Sequence, residues 1–98
     1  MQPHAIIIPC YNEAQRLNED LIFQLIKYHQ PILICFVNDG STDETATILE
    51  GFKLKAPDRI EIIQLENNSG KGAAVREGVL WCRNHPQLQD IGYLDADM

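Results

Sequence analysis

Ninety-eight residues, 45% of them hydrophobic, suffice for one small layered domain with a moderate core. Eight Lys and Arg against 14 Asp and Glu leave a formal net charge of -6. That excludes a surface built to hold nucleic-acid phosphates, so an anionic ligand needs local donors or a metal.

Ala5-Ile6-Ile7-Ile8-Pro9 is a continuous apolar run, the pattern of a strand buried on both faces, and Pro9 is expected to end it. Asn12 then caps a helix whose Leu17, Leu21, Leu25 and Tyr28 recur along one face, and Pro31 closes it. Ile32 to Val37 repeats the strand pattern, with turn chemistry at Asn38-Asp39-Gly40. Ser41 and Glu44 read as a capping box opening a second helix with Ile48, Leu49 and Phe52 inward, stopped at Ala56-Pro57-Asp58. Ile60, Ile62, Ile63 and Leu65 make a third strand. After the loop Glu66 to Gly70, a third helix carries Val75, Val79 and Cys82 on one side and ends at His85-Pro86. Ile91-Gly92-Tyr93-Leu94 reads as a fourth, buried strand leading to Asp95-Ala96-Asp97-Met98.

Strands alternate with helices, and the connections are too long for hairpins. The expectation is an α/β fold, a mostly parallel sheet with right-handed crossovers and helices on both faces, as one domain over residues 1–98. Cys10, Cys35 and Cys82 are odd in number, far apart and beside apolar runs, so they read as reduced, buried thiols of a cytoplasmic chain. No run nears the roughly 18 apolar residues of a membrane span. The histidines, His4, His29 and His85, have unrelated spacing and read as surface residues.

Polar residues gather after each strand: Cys10 to Glu13, Asn38 to Ser41, Asn67 to Lys71, and Asp95 to Asp97. In a parallel sheet all four clusters share one edge, where such folds bind ligands. Alternation sends Asp95 and Asp97 to the same side, a spacing that suits Mg2+ or Mn2+ shared with diphosphate oxygens, although a solvated turn also accounts for Asp97. Asn38-Asp39-Gly40 fits either a simple turn or a contact to a base or ribose. Glu13 fits either a ligand contact or an acid favouring a helix macrodipole. Gly70-Lys71-Gly72 is not a P-loop, because Leu65 and Gly72 occupy its required Gly and Ser/Thr positions, and Val75 breaks the dinucleotide fingerprint. It leaves backbone donors and Lys71 at a helix N-terminus.

Taken together, Ile8 to Glu13, Val37 to Asp43, Asn68 to Ala74 and Tyr93 to Met98 resemble the family 2 glycosyltransferases of GT-A fold. They look closest to the dolichyl-phosphate mannose and polyprenyl-phosphate glucose synthase branch. The resemblance implies that these residues are the nucleotide-sugar-binding half of the domain. Pro9, Tyr11 and Glu13 are then expected to line the nucleoside pocket and Asn38-Asp39 to meet the base, with Lys71 bordering the cleft. Asp95 is expected near the ribose or metal, and Asp97 on a Mg2+ or Mn2+ ion that binds the diphosphate. It further implies a UDP- or GDP-sugar donor, an acceptor such as a polyprenyl phosphate, a general base downstream of Met98, and a full-length protein associated with the cytoplasmic face of a membrane. Asn38 stands where the family usually has Asp, which leaves uracil and guanine open. A donor half alone is expected to be inactive and to self-associate through an uncovered sheet edge. The alternative is a nucleotidyltransferase-like module, which usually needs a Gly- and Arg-rich loop after the first strand; Cys10 to Glu13 does not supply one.

Overall fold

The computed structural model describes residues 4–28 and 32–96. Strand β1 (His4–Cys10) is followed by α1 (Glu19–Tyr28), β2 (Ile32–Asp39), α2 (Thr45–Lys55), β3 (Ile60–Leu65), α3 (Lys71–Arg83) and β4 (Asp90–Tyr93). The four strands form one sheet in the order β3-β2-β1-β4, and every neighbouring pair is parallel.

Side-chain alternation along the central strands divides the core in two. Ile8 and Cys10 of β1 with Ile34 and Phe36 of β2 face α1 and α2, meeting Ile22, Ile26, Leu49 and Phe52. Ala5 and Ile7 with Leu33, Cys35 and Val37 face α3 through Ala74 and Cys82. The steps β1 to β2 and β2 to β3 run in one direction across the sheet, whereas β3 to β4 reverses past β1. Right-handed crossovers therefore put α1 and α2 on one face and α3 on the other.

Several local expectations are corrected. Pro9 does not end β1, which pairs Pro9 with Val37 and Cys10 with Asn38. Ile7 accepts a hydrogen bond from the Leu94 N–H on the β4 side. Pro9, two residues on, faces that same side beyond the last β1–β4 pair, so its missing N–H forfeits no ladder bond. Helix α1 starts six residues later than a cap at Asn12 implies. Its cap is Asn18, whose Oδ1 accepts from the Leu21 N–H at 3.1 Å ahead of the acidic pair Glu19 and Asp20. Its buried face is Ile22 and Ile26, with Leu21 and Leu25 half-buried and Tyr28 exposed. Pro31 and His29 lie outside the described residues.

The capping box is also absent: Glu44 occupies the α2 cap position without a side-chain cap bond. The buried stripe of α3 is Ala74, Gly78 and Cys82, with Val75 and Val79 half-buried beside it. Gly78 is required there because a Cβ would stand 2.7 Å from Ile7 Cγ2, so the helix rides directly on β1. Strand β4 is exposed along its length, since it stands at the sheet edge among the described residues. His85 is half-buried and stacked on Trp81 at 3.8 Å, with Nδ1 2.8 Å from the Trp81 carbonyl oxygen.

Candidate functional site

The loop after β1 is clamped to the loop after β2 by a set of reciprocal hydrogen bonds. Asn12 adopts φ 51°, a left-handed conformation that Asn tolerates better than most residues. Its N–H donates to Ser41 Oγ at 3.0 Å, and its Oδ1 accepts from the N–H groups of Thr42 at 2.8 Å and Asp43 at 3.3 Å. In return Asp43 Oδ2 accepts from Ala14 N–H at 3.2 Å, and Thr45 Oγ1 accepts from Glu13 N–H at 2.9 Å. Thr45 also donates its hydroxyl to Asp43 Oδ1 at 2.5 Å. These bonds, led by the Thr45 hydroxyl, hold the Asp43 carboxyl below the usual carboxylate range. Ser41 is thereby spent on Asn12 and, as a donor, on Asn38 Oδ1, which is why it cannot cap α2.

A second clamp joins the end of β2 to the loop before α3. Asp39 is only 2% exposed. Its Oδ1 accepts from Ser69 N–H at 2.8 Å, and its Oδ2 accepts from Gly70 N–H at 2.9 Å and Asn68 Nδ2 at 3.0 Å. Gly40, at φ 66°, passes so close to this loop that a Cβ would lie 2.4 Å from the Asn68 nitrogen.

The clamped loops enclose an open cleft of about 440 Å³ lined by Pro9, Cys10, Tyr11, Glu13, Asp39, Asn68, Gly70, Lys71, Asp95 and Ala96. It lies outside the carboxyl ends of β1 and β4, where chain direction across the sheet reverses, the position at which open α/β sheets bind ligands. Tyr11 is 47% exposed, whereas the Glu13 side chain is largely covered and 3.4 Å from Arg16 Nη1. At the mouth Lys71 Nζ is ion-paired with Asp95 Oδ1, both side chains about half exposed.

Of the residues singled out in the sequence, Pro9, Tyr11, Glu13, Asp39, Lys71 and Asp95 therefore meet in one cleft. Asn38 does not line it: it is 2% exposed, and its amide oxygen is taken by Ser41. Asp97 lies outside the described residues. Among the described residues no cluster of three or more His, Cys, Asp and Glu could hold a metal ion. A cation shared with diphosphate oxygens needs only one or two carboxylates, however, and the half-exposed Asp95 would supply one by exchanging its Lys71 partner for the ion. Asn68, Gly70 and the Asn12, Asp43 and Thr45 clamp were not legible as individual site residues. Their one sequence signal is the density of Asn, Asp, Ser and Thr after each strand. Among the described residues no helix is long and apolar enough to cross a membrane. The three cysteines are free and buried.

An all-parallel α/β sheet with a polar cleft at its reversal point is a doubly wound architecture, the class within which GT-A domains fall. The chain belongs to glycosyl transferase family 2, whose family model matches residues 5–98. It is 35% identical over 96 residues to the minor teichoic acid biosynthesis protein GgaA of Bacillus subtilis, covering 95% of this chain and 21% of that protein. It is 37% identical over 102 residues to the dolichyl-phosphate beta-glucosyltransferase of Saccharomyces cerevisiae, covering 95% and 29%. Among solved structures, the mannosyltransferase PcManGT from Pyrobaculum calidifontis in complex with GDP-Man and Mn2+ superposes with a TM-score of 0.80 at 22% identity, covering 98% of this chain and 28% of that one. S. aureus TarS 1-349 in complex with UDP superposes at 0.72 with 29% identity, covering 99% and 28%. The chain thus spans less than a third of the length of each of these proteins.

Proposed function

We propose that residues 1–98 form the nucleotide-sugar-binding part of a glycosyltransferase that moves a sugar from a nucleoside diphosphate to an acceptor. The observation that carries this reading is the convergence of all four strand-end segments on one cleft, with a Lys71–Asp95 pair at its mouth. Pro9, Tyr11 and Glu13 flank the nucleoside, and Asp39 forms the floor beneath the base. Lys71 faces the diphosphate, and its ammonium at the start of α3 adds to the field of a helix N-terminus.

Asp95, with Asp97, is proposed to hold Mg2+ or Mn2+. When bound, such an ion neutralises charge developing on the leaving nucleoside diphosphate. The acidic composition supports this reading, since among the described residues one lysine and no arginine line the cleft. The acceptor is proposed to be a lipid phosphate, a reading supported by the dolichyl-phosphate beta-glucosyltransferases among the relatives. Calorimetric titration with UDP- and GDP-sugars, with Mn2+ and then with excess chelator, tests the proposal. Binding that weakens on chelation is expected. A folded protein that binds neither donor with metal present overturns it.

A further inference from the structure

We infer that Lys53 and Glu61 together close the free edge of β3, barring a second copy of this chain from adding its own β3 to the sheet. Among the described residues β3 is an outer strand, and its register fixes which backbone groups look away from β2. Ile34 stands opposite Ile60 and donates its N–H to the Arg59 carbonyl at 2.8 Å. The N–H and C=O of one residue point to the same side of a strand, and that side alternates along the chain. Glu61, Ile63 and Leu65 therefore bond β2, while Ile60, Ile62 and Gln64 present their groups outward.

Two of those outward groups are already taken by side chains. Lys53 Nζ, from the last turn of α2, donates to the Ile60 carbonyl at 2.8 Å, and Glu61 Oε1 accepts from the Ile62 N–H at 3.3 Å. Ile60 and Ile62 face α2, whereas Ile63 and Leu65 face α3, so Glu61 starts from the face opposite Lys53. The two side chains meet at the edge, Lys53 Nζ 3.7 Å from Glu61 Oε1. What they hold back is self-complementary. Turned about a two-fold axis at Ile62, β3 pairs antiparallel with its own copy: Ile62 against Ile62, Ile60 against Gln64, and Glu61 beside Ile63. The outward groups then bond one another and no like charges stand opposite. The second copy would also cover a groove of about 450 Å³ along this edge, lined by Pro57, Ile62 and Leu54, which is 84% exposed. That pairing needs the Ile62 N–H and the Ile60 carbonyl, the groups that Glu61 and Lys53 occupy. Charged side chains at an edge, lysine above all, keep sheets from joining.

Sedimentation equilibrium and concentration-dependent amide exchange test this on the wild type, on the double variant Lys53→Ala with Glu61→Thr, and on that variant with Gln64→Pro added. Both guarding side chains are more than a third exposed, and the β2 amides report that each variant is folded. The double variant is expected to self-associate at least about tenfold more tightly than the wild type. The amides of Ile60, Ile62 and Gln64 are expected to gain protection as its concentration rises. Gln64→Pro deletes an outward N–H that β2 does not use, so it is expected to reverse the association with the β2 amides still protected. A double variant no more associated than the wild type overturns the inference, as does a wild type that already protects those three amides with concentration. Association that survives Gln64→Pro, or that protects Ile91 and Tyr93 of β4 instead, overturns it as well.

Discussion

Asn12 and Asp43 each cap the other's loop: Asn12 Oδ1 accepts from the Asp43 N–H at 3.3 Å, while Asp43 Oδ2 accepts from the Ala14 N–H at 3.2 Å. The exchange braces the segment that carries Tyr11 and Glu13 to the lining of the cleft. Asn12 carries two roles, a positive φ and an acceptor for two backbone donors, and Ala fills neither. Asn12→Ala is expected to cost about 1–2 kcal/mol in urea unfolding, with faster amide exchange at Thr42 and Asp43. An unchanged midpoint together with unchanged exchange would show that the clamp contributes nothing.

Asp43 gives this clamp a pH dependence whose sign is fixed. Its folded pKa lies below the ordinary carboxylate value, so the clamp is fully present above about pH 4 and is lost as pH falls through the lower folded value. Thr45→Val removes the largest cause, the Thr45 hydroxyl bond, and is expected to move the Asp43 titration upward in carboxyl-detected NMR. A titration that stays in place would assign the lowering to another group.

Two helical glycines are expected to respond in opposite directions. Gly51 lies within α2 with nothing within 4 Å of a built Cβ, so Gly51→Ala gains helix propensity, about 0.5–1 kcal/mol. Gly78→Ala gains the same propensity but drives a methyl to 2.7 Å from Cγ2 of Ile7, a fully buried, β-branched side chain with little freedom to yield. A net loss of about 1–2 kcal/mol is expected. Thermal melts of both variants check the pair, and a stabilised Gly78→Ala would mean that α3 does not ride on β1 as described.

The alternation of strands and helices was readable because parallel strands buried on both faces leave unbroken runs such as Ile6 to Ile8 and Ile32 to Val37. The convergence of strand ends followed from parallel topology alone. The inward face of α1 was not readable, because Leu17, Leu21 and Leu25 form one stripe and Ile22 and Ile26 an adjacent one at the same spacing. Packing against β1 and β2 decides between them. The clamps were hidden for a different reason. Asn12 meets Thr42, and Asp39 meets Ser69, across about thirty residues, and only the β1–β2 register, with Cys10 opposite Asn38, and the β2–β3 register bring them together. Asn12 and Ser41 looked like local caps because their local chemistry is that of caps. The three-dimensional partners are the β1–α1 and β2–α2 loops themselves.

Arg59 joins three elements with one guanidinium. Its Nε donates to the Ile32 carbonyl at 2.8 Å and its Nη2 to the Ile26 carbonyl at 3.0 Å, so it ties the last turn of α1 to the start of β2 just before β3 begins. A cation there also complements the negative end of the helix macrodipole. Arg59→Lys keeps the charge but not the fork, and is expected to lose about 1–2 kcal/mol in chemical unfolding. Equal stability of the lysine variant would reduce the role of Arg59 to its charge.

The buried thiols set an alkaline limit on the fold. Burial first, with the Glu13 charge second, pushes the Cys10 thiol up to about 12. Burial first, then Cys82 and Glu61, does the same for Cys35. A folded pKa raised above the unfolded value of about 8.5 means that stability is fully present below that pH. It is lost progressively as pH rises toward 12, because the unfolded chain ionises its thiols first. Urea midpoints are therefore expected to be flat to about pH 8 and to fall steadily above it, and Cys35→Ala to flatten part of that fall. Native protein at pH 8 should resist alkylation at Cys10 even though this residue lines the cleft, since the thiol is 1% exposed and donates to the Ile8 carbonyl at 3.6 Å. Rapid modification of Cys10 in the folded protein, followed by mass spectrometry, would show that β1 opens at its cleft end.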